Sequence, residues 1–411
     1  MDEIQLCGQG EEEQLIPENF SLVESLRVDS VSMQKNIFRS KIFEYLNLIG
    51  ATILIFAPIL YAEIYLATNS DYGSHITWAR DIFASPQNVP ASVIAHASWQ
   101  WLVLLTRQIL NRTWNESAFV ITLGSVIATS VMLFWLLRKK LSPLLSGALS
   151  LGLMVAAPVF LIEPFENIWY FVNGYIAPNV YHNPTILLLK PFAVLQFYYV
   201  IEAFKIEKTS WKTYILVIAS SIIAVYTKPS FVICLLPALA IITLVCLLKR
   251  RTLDWKRLMF GIVLPSIVIL TWQYFTTYGS ESDSIILAPI KVMKYYSSNL
   301  LMKYILSIIF PLMVTIIYWK NAIKDKGVQL GWLLFGFGTV ITYLFAETGQ
   351  RAISGNFIWS GEITLFILFA AIVLFLADKN LPQTNPIKRW LVLFSGFLHV
   401  AFGLIYYFYL Y

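Results

Sequence analysis

Charged side chains are scarce. Asp, Glu, Lys and Arg make up 13% of the 411 residues, about half of what a soluble domain carries. With 58% apolar residues and a mean hydropathy of +0.67, this deficit excludes an ordinary soluble enzyme and a disordered chain. Cysteine is rarer still. Cys7, Cys234 and Cys246 are spaced for neither a metal site nor a disulfide framework, and two of them sit in one apolar segment as small packing residues. No phosphate-cradling glycine loop is present, which argues against an ATP-driven pump or a nucleotide-sugar enzyme. No internal repeat, low-complexity tract or cleavable signal peptide stands out.

Long apolar runs are what the sequence does have. A helix crossing a bilayer needs about 20 mostly apolar residues. Such runs lie at 45–66, 117–137, 143–163, 185–204, 212–227, 229–248, 257–277, 300–319, 329–346, 358–377 and 389–409. The expected fold class is all-α: a polytopic membrane helical bundle of about 11 transmembrane helices. The run at 212–227 is short and meets the next at Thr227-Lys228-Pro229, so these two can also be an interrupted hairpin. Residues 1–44 read as a cytoplasmic tail in which Ile37, Phe38, Ile42 and Phe43, mixed with basic residues, mark a candidate interfacial helix.

The +6 net charge is a matter of topology. With the N-terminus in the cytoplasm, 21 of the 30 basic residues fall inside, among them Arg138-Lys139-Lys140 and Lys249-Arg250-Arg251. The reverse orientation leaves nine inside, so the positive-inside rule selects the first and no nucleic-acid partner is implied. Residues 92–110 are apolar enough to imitate a span. Counting them would put Arg138-Lys139-Lys140 outside, and they carry His96, Gln100 and Arg107, which are costly at mid-membrane. They read instead as an amphipathic helix along the outer surface, within a long first outer loop at about 67–116.

Unusual polar residues gather on the expected outer face. In the first loop, Asp71 and His75 share a helical face at i, i+4. Asp71 suits a base toward an acceptor hydroxyl or a ligand to a divalent cation, or else it caps the helix that follows. His96 lies in the surface helix, as a structural or a substrate-binding group. The second loop interleaves Glu163, Glu166 and His182 with Trp169, Tyr170, Asn179 and Tyr181. Aromatics at this depth form an interfacial belt in any case, but amides among stacked rings also suit a sugar.

Two Lys-Pro steps follow, at Lys190-Pro191 and Lys228-Pro229. Lys190 lies about 9 Å into its helix at 1.5 Å per residue. A lysine at that depth either snorkels or meets an anion, and a lipid-linked phosphate is the natural anion there. Arg351 is a third phosphate candidate, with an ion pair to Glu347 as its alternative. His399, inside the last run, reads as a packing histidine.

Several of these pieces together resemble the GT-C-type integral membrane glycosyltransferases. The pieces are Asp71 just after the first span, Pro90 and His96 ahead of Trp99-Gln100-Trp101, the stretch Asn179 to Thr185, and the Thr227-Lys228-Pro229-Ser230 hairpin. The resemblance covers about residues 45–250, leaving 251–411 as C-terminal helices that complete the bundle. It implies transfer of a sugar from a polyprenyl-phosphate donor to a glycan or lipid-linked acceptor on the outer face, in the plasma (inner) membrane. On that resemblance Asp71 is the catalytic carboxylate, with His75 beside it, and the lysines contact the donor phosphate. Many relatives carry a paired acidic motif where this chain has one Asp, a departure that tells against a metal while leaving a divalent cation open. A transporter or flippase is the first alternative, and an outer-face polysaccharide polymerase or ligase the second. A transporter would place charges near mid-membrane on several helices.

Overall fold

The computed structural model describes residues 41–67, 70–161, 174–205, 210–279, 284–382 and 384–410. Two compact units divide after Asn47, and the second, Leu48–Tyr411, holds everything described below apart from the first turns of one helix. The helices in chain order are α1 (Lys41–Leu66), α2 (Asp71–Ala84), α3 (Ser98–Leu110), α4 (Trp114–Arg138), α5 (Pro143–Val155), α6 (Pro184–Glu202) and α7 (Trp211–Thr227). Next come α8 (Val232–Leu248), α9 (Arg257–Tyr278), the short α10 (Lys291–Tyr296), α11 (Leu300–Ile317), α12 (Lys326–Leu344), α13 (Ile358–Leu376) and α14 (Pro386–Leu410). Among the described residues, eight helices are long and apolar enough to cross a bilayer: α1, α4, α6, α9, α11, α12, α13 and α14. The chain is a multi-pass membrane protein. Each of the remaining expected spans is matched by a shorter apolar helix, α5, α7 or α8.

The bundle is built around α6 and α13, which are buried over most of their length. Against α13 lies α12, and glycine sets their separation. A Cβ on Gly338 would strike the Thr364 hydroxyl and the Ser360 carbonyl, and one on Gly361 would meet the Thr342 hydroxyl at 2.8 Å. Membrane helices gain little from hydrophobic transfer between themselves, so close packing of small residues is what holds such a pair. Peripheral helices α9 and α14 turn broad apolar faces outward, including Phe260, Trp272, Trp390 and Phe397.

Helix α5 is where the structure departs from the expected 143–163 span. It stops at Val155, with the last helical bond from Ala156 N–H to Gly152 O, and residues 157–161 run outside any helix. The orphaned carbonyls of its last turn are met by side chains from one later stretch. Asn179 Nδ2 donates to Leu153 and Ala156 oxygens at 2.8 Å each, and the Tyr181 hydroxyl donates to Met154 O at 2.8 Å. Beyond the break, Ala157 N–H bonds His399 O at 3.0 Å and Val159 N–H bonds Leu306 O at 3.2 Å. His399 Nδ1 lies 2.6 Å from Ala157 O, a packing role. Irregular backbone at membrane depth is tolerated only where protein satisfies it in this way. The apolar run continues past the break, so hydropathy gives no sign of it.

The 92–110 segment forms a single turn and then α3, which buries Trp99, Gln100, Val103 and Leu104 and exposes Trp101, Leu105 and Ile109. Its 13 residues are too few to span, and it is amphipathic as its sequence pattern predicts. Over three residue pairs, β1 (Ile285–Leu287) pairs antiparallel with β2 (Phe345–Glu347) and ties the loop after α9 to the end of α12.

Candidate functional site

One end of the bundle holds a cavity of about 940 Å³, within the roughly 300–1,000 Å³ typical of ligand sites. Its walls come from the start of α2, the turn before α3, the start of α6, the α7–α8 turn, the end of α9 and the loop between β2 and α13. Chain direction places the basic clusters at the other end, since Arg138 closes α4, Lys249 follows α8 and Lys326 opens α12. Asp71, His75, His96, Lys228 and Arg351 all line this cavity. Five of the residues singled out by the sequence are thus brought together, although they span 280 positions of chain.

Asp71 is the first residue of α2, where the helix dipole favours a carboxylate. It is not the cap. Ser70 occupies that position, and its hydroxyl donates to His182 O at 3.3 Å. Asp71 Oδ2 instead accepts from Asn183 Nδ2 at 2.6 Å. Asn183 caps α6, taking Ile186 N–H on its Oδ1 at 3.0 Å, along with the Thr185 hydroxyl at 2.8 Å. Lys228 reaches the same group, with its ammonium 3.1 Å from Thr185 Oγ1 and 3.4 Å from Asn183 Oδ1. The Trp359 ring lies 4.5 Å from that ammonium. The α7–α8 turn holds Lys228 extended, which aims it inward where a helical residue would point along the bundle. Its enclosure lowers the Lys228 pKa to about 8, against the opposing pull of Asp71 and Glu362.

The two histidines lie on the same wall. His75 Nδ1 is 2.9 Å from Gln100 Nε2, and its ring packs edge-on to Trp78 and Trp99. His96 Nδ1 is 2.9 Å from Nε2 of Gln273, which also donates to Ala95 O and Val225 O. Enclosure pushes His75 down to about 3, aided by Lys228 and opposed by Asp71. It pushes His96 to about 4, aided by the Lys228 and Arg351 charges. Both rings are neutral near pH 7, so they offer hydrogen bonds and no charge.

Across the cavity, the buried Glu347 carboxylate is already occupied. It accepts from the Tyr278 hydroxyl at 2.8 Å, Ser354 at 3.2 Å and Asn356 at 2.5 Å, and Arg351 lies 3.6 Å away. Arg351 also sits 5.2 Å from the centre of the Tyr278 ring. The ion pair to Glu347 is therefore present, and Arg351 lines the cavity as well. Asp71 is left as the carboxylate whose second oxygen is not consumed by the hydrogen bonds of the described residues.

Lys190 does not reach the cavity. It is 1% exposed, with Nζ 2.5 Å from Asn179 Oδ1 and 4.6 Å from the Phe366 ring, and the charge acting on it is that of Glu362 on α13. It neither snorkels nor meets the cavity. His182 is not among the cavity-lining residues, and its ring lies 5.7 Å from that of Trp359. Glu163 and Glu166 lie outside the described residues. Asn183, Trp359, Gln100 and Gln273 are additions to the site. Asn183 had a local signal, as an N-cap before Pro184; Gln273 had none, lying 177 residues from its partner His96.

A divalent cation does not fit these donors. Among the described residues no three His, Cys, Asp or Glu side chains group as ligands. Asp71 shares its surroundings with an ammonium, and Glu347 is saturated. Compared with known proteins, the chain matches no family model, no curated protein and no solved structure.

Proposed function

We propose that this cavity transfers a sugar from a polyprenyl-phosphate donor to a hydroxyl of a glycan or lipid-linked acceptor, on the outer face of the membrane. The observation that carries the reading is the juxtaposition of Asp71 and Lys228 in one cavity at a helix-end boundary, joined through the amide of Asn183. Such a transfer needs a base at the acceptor oxygen and a positive charge at the departing phosphate. Asp71 takes the acceptor proton as that oxygen bonds the anomeric carbon. The bond from that carbon to the phosphate oxygen breaks, and the lipid phosphate leaves with the electron pair, held by Lys228. Arg351 is a second cation on the opposite wall. Trp78 and Trp359 offer ring faces to the sugar, with His75 and His96 as neutral hydrogen-bonding groups. The donor set calls for no metal in these steps.

The test is transfer by membrane vesicles given polyprenyl phosphates that carry a radiolabelled hexose or pentose. Wild type labels an acceptor, and Asp71→Asn loses about 10²–10⁴-fold, the usual contribution of a positioned base. Full transfer by the mutant removes Asp71 as base.

Transport of a lipid-linked or small polar substrate is favoured by a different observation, the buried Lys190 and Glu362 on two central helices. A transporter moves labelled lipid across vesicles with no acceptor product. Such movement without transfer would replace the first reading.

A further inference from the structure

We infer that Asn183 is a positioning residue: its amide stands between Asp71 and Lys228 and keeps them from closing onto each other, so that both stay directed at the cavity. The inference rests on the proposed roles of Asp71 and Lys228, but its geometry does not. The orientation of the amide is fixed by the chain itself. Backbone N–H of Ile186 can only donate, so the atom 3.0 Å from it is the amide oxygen. The amide nitrogen must then face Asp71, at 2.6 Å. The oxygen side collects Thr185 at 2.8 Å and Lys228 at 3.4 Å. One planar group therefore donates to the carboxylate and accepts from the ammonium. Among the described residues there is no Asp71–Lys228 ion pair within 4 Å, although Lys228 feels the Asp71 charge.

The arrangement has a chemical consequence. A direct Asp–Lys contact would use the carboxylate lone pair and the ammonium proton on each other, leaving neither for a substrate. An amide between them satisfies one oxygen of Asp71 and one proton of Lys228; Thr185 Oγ1 takes a second proton, and the other oxygen and the third proton are left. Because the same oxygen caps α6, the spacer is held by a rigid helix end and not by a loop. The charged and titratable groups facing Lys228 are Asp71 and His75 from α2, Glu362 from α13 and His96 from the turn before α3.

Capping and spacing can be separated. Ser and Thr cap helices nearly as well as Asn, but neither has a donor that reaches across to Asp71. In Asn183→Ser and Asn183→Thr the helix keeps its cap while Lys228 is free to close on Asp71. The readout is the titration of Lys228 in full-length protein in nanodiscs, by pH-dependent reductive methylation followed by mass spectrometry, with no substrate present. The wild-type midpoint lies at about 8. In both variants it rises by at least about one unit, a tenfold change in proton affinity, and the melting temperature stays near that of wild type. Adding Asp71→Asn to either variant removes the rise. A midpoint unmoved in both well-folded variants overturns the spacer and leaves Asn183 a cap. Since the titration needs no substrate, its outcome is independent of whether the cavity transfers sugars.

Discussion

Lys190 and Lys228 enter the sequence alike, each followed by proline in an apolar setting, yet their surroundings in the structure differ completely. Lys228 sits in an extended turn between two helices and projects into the cavity beside Asp71 and Trp359. Lys190 lies within α6 and spends its ammonium on Asn179, which in turn caps the broken end of α5. The difference teaches that depth alone does not make a buried cation a ligand site. What decides is whether the protein has already supplied its acceptor. The two lysines thus separate a brace from a binding group, and substitutions should separate them further.

The largest effect is expected from Lys190→Met. It leaves Asn179 without its donor and removes one of the two cations acting on the buried Glu362, and a buried polar group left unpaired costs about 1–3 kcal/mol. Folded yield and melting temperature in detergent should fall sharply. A variant as stable as wild type would mean that Lys190 braces nothing. Lys228→Met should do the reverse, with folded yield close to wild type and transfer reduced about 10²–10³-fold, as when a stabilising donor is lost at a reacting oxygen.

This contrast marks how much was legible beforehand. Asp71, His75, His96, Lys228 and Arg351 could be read because each is a polar residue stranded at a helix boundary on one side, and topology gathers such boundaries. The all-α bundle itself was legible from the apolar runs, although among the described residues eight of the eleven expected spans are helices long enough to cross a bilayer. What hydropathy could not show was direction. It does not tell which face of α6 carries Lys190, nor that Asn179 waits opposite. The end of α5 at Val155 was equally hidden, because the partners of its carbonyls come from a stretch more than 20 residues later. Gln273 acquires its meaning from contacts that sequence spacing does not encode, and so does the Tyr278 bond to Glu347, whose i, i+4 ion pair with Arg351 alone was legible.

pH sharpens the comparison at the Lys228 end. Its lowered midpoint means that the ammonium is lost above about pH 8, so transfer should decline there, well before an ordinary lysine would titrate. The same shift makes the unfolded chain bind more protons between pH 8 and 10.5, so this group's contribution to stability rises with pH across that window. A pH–rate profile flat to pH 10 would contradict the assignment.

The smallest effect belongs to the histidines. With folded values of about 3 for His75 and about 4 for His96, the unfolded chain takes up protons first as pH falls below 6.5. Stability should therefore be lost progressively from pH 6.5 toward 4, and His75→Gln with His96→Gln should flatten that slope in a melting series. An unchanged slope would show that neither ring is held neutral.

The most direct measurement compares Lys190→Gln with Lys228→Gln in reconstituted vesicles, scoring label transferred from polyprenyl-phosphate sugars per folded molecule. Glutamine can still donate to Asn179, so the first variant should transfer at about the wild-type rate, while the second should fall by about 10². Equal losses in both, an active Lys228→Gln, or no transfer by wild type with any donor would contradict the account.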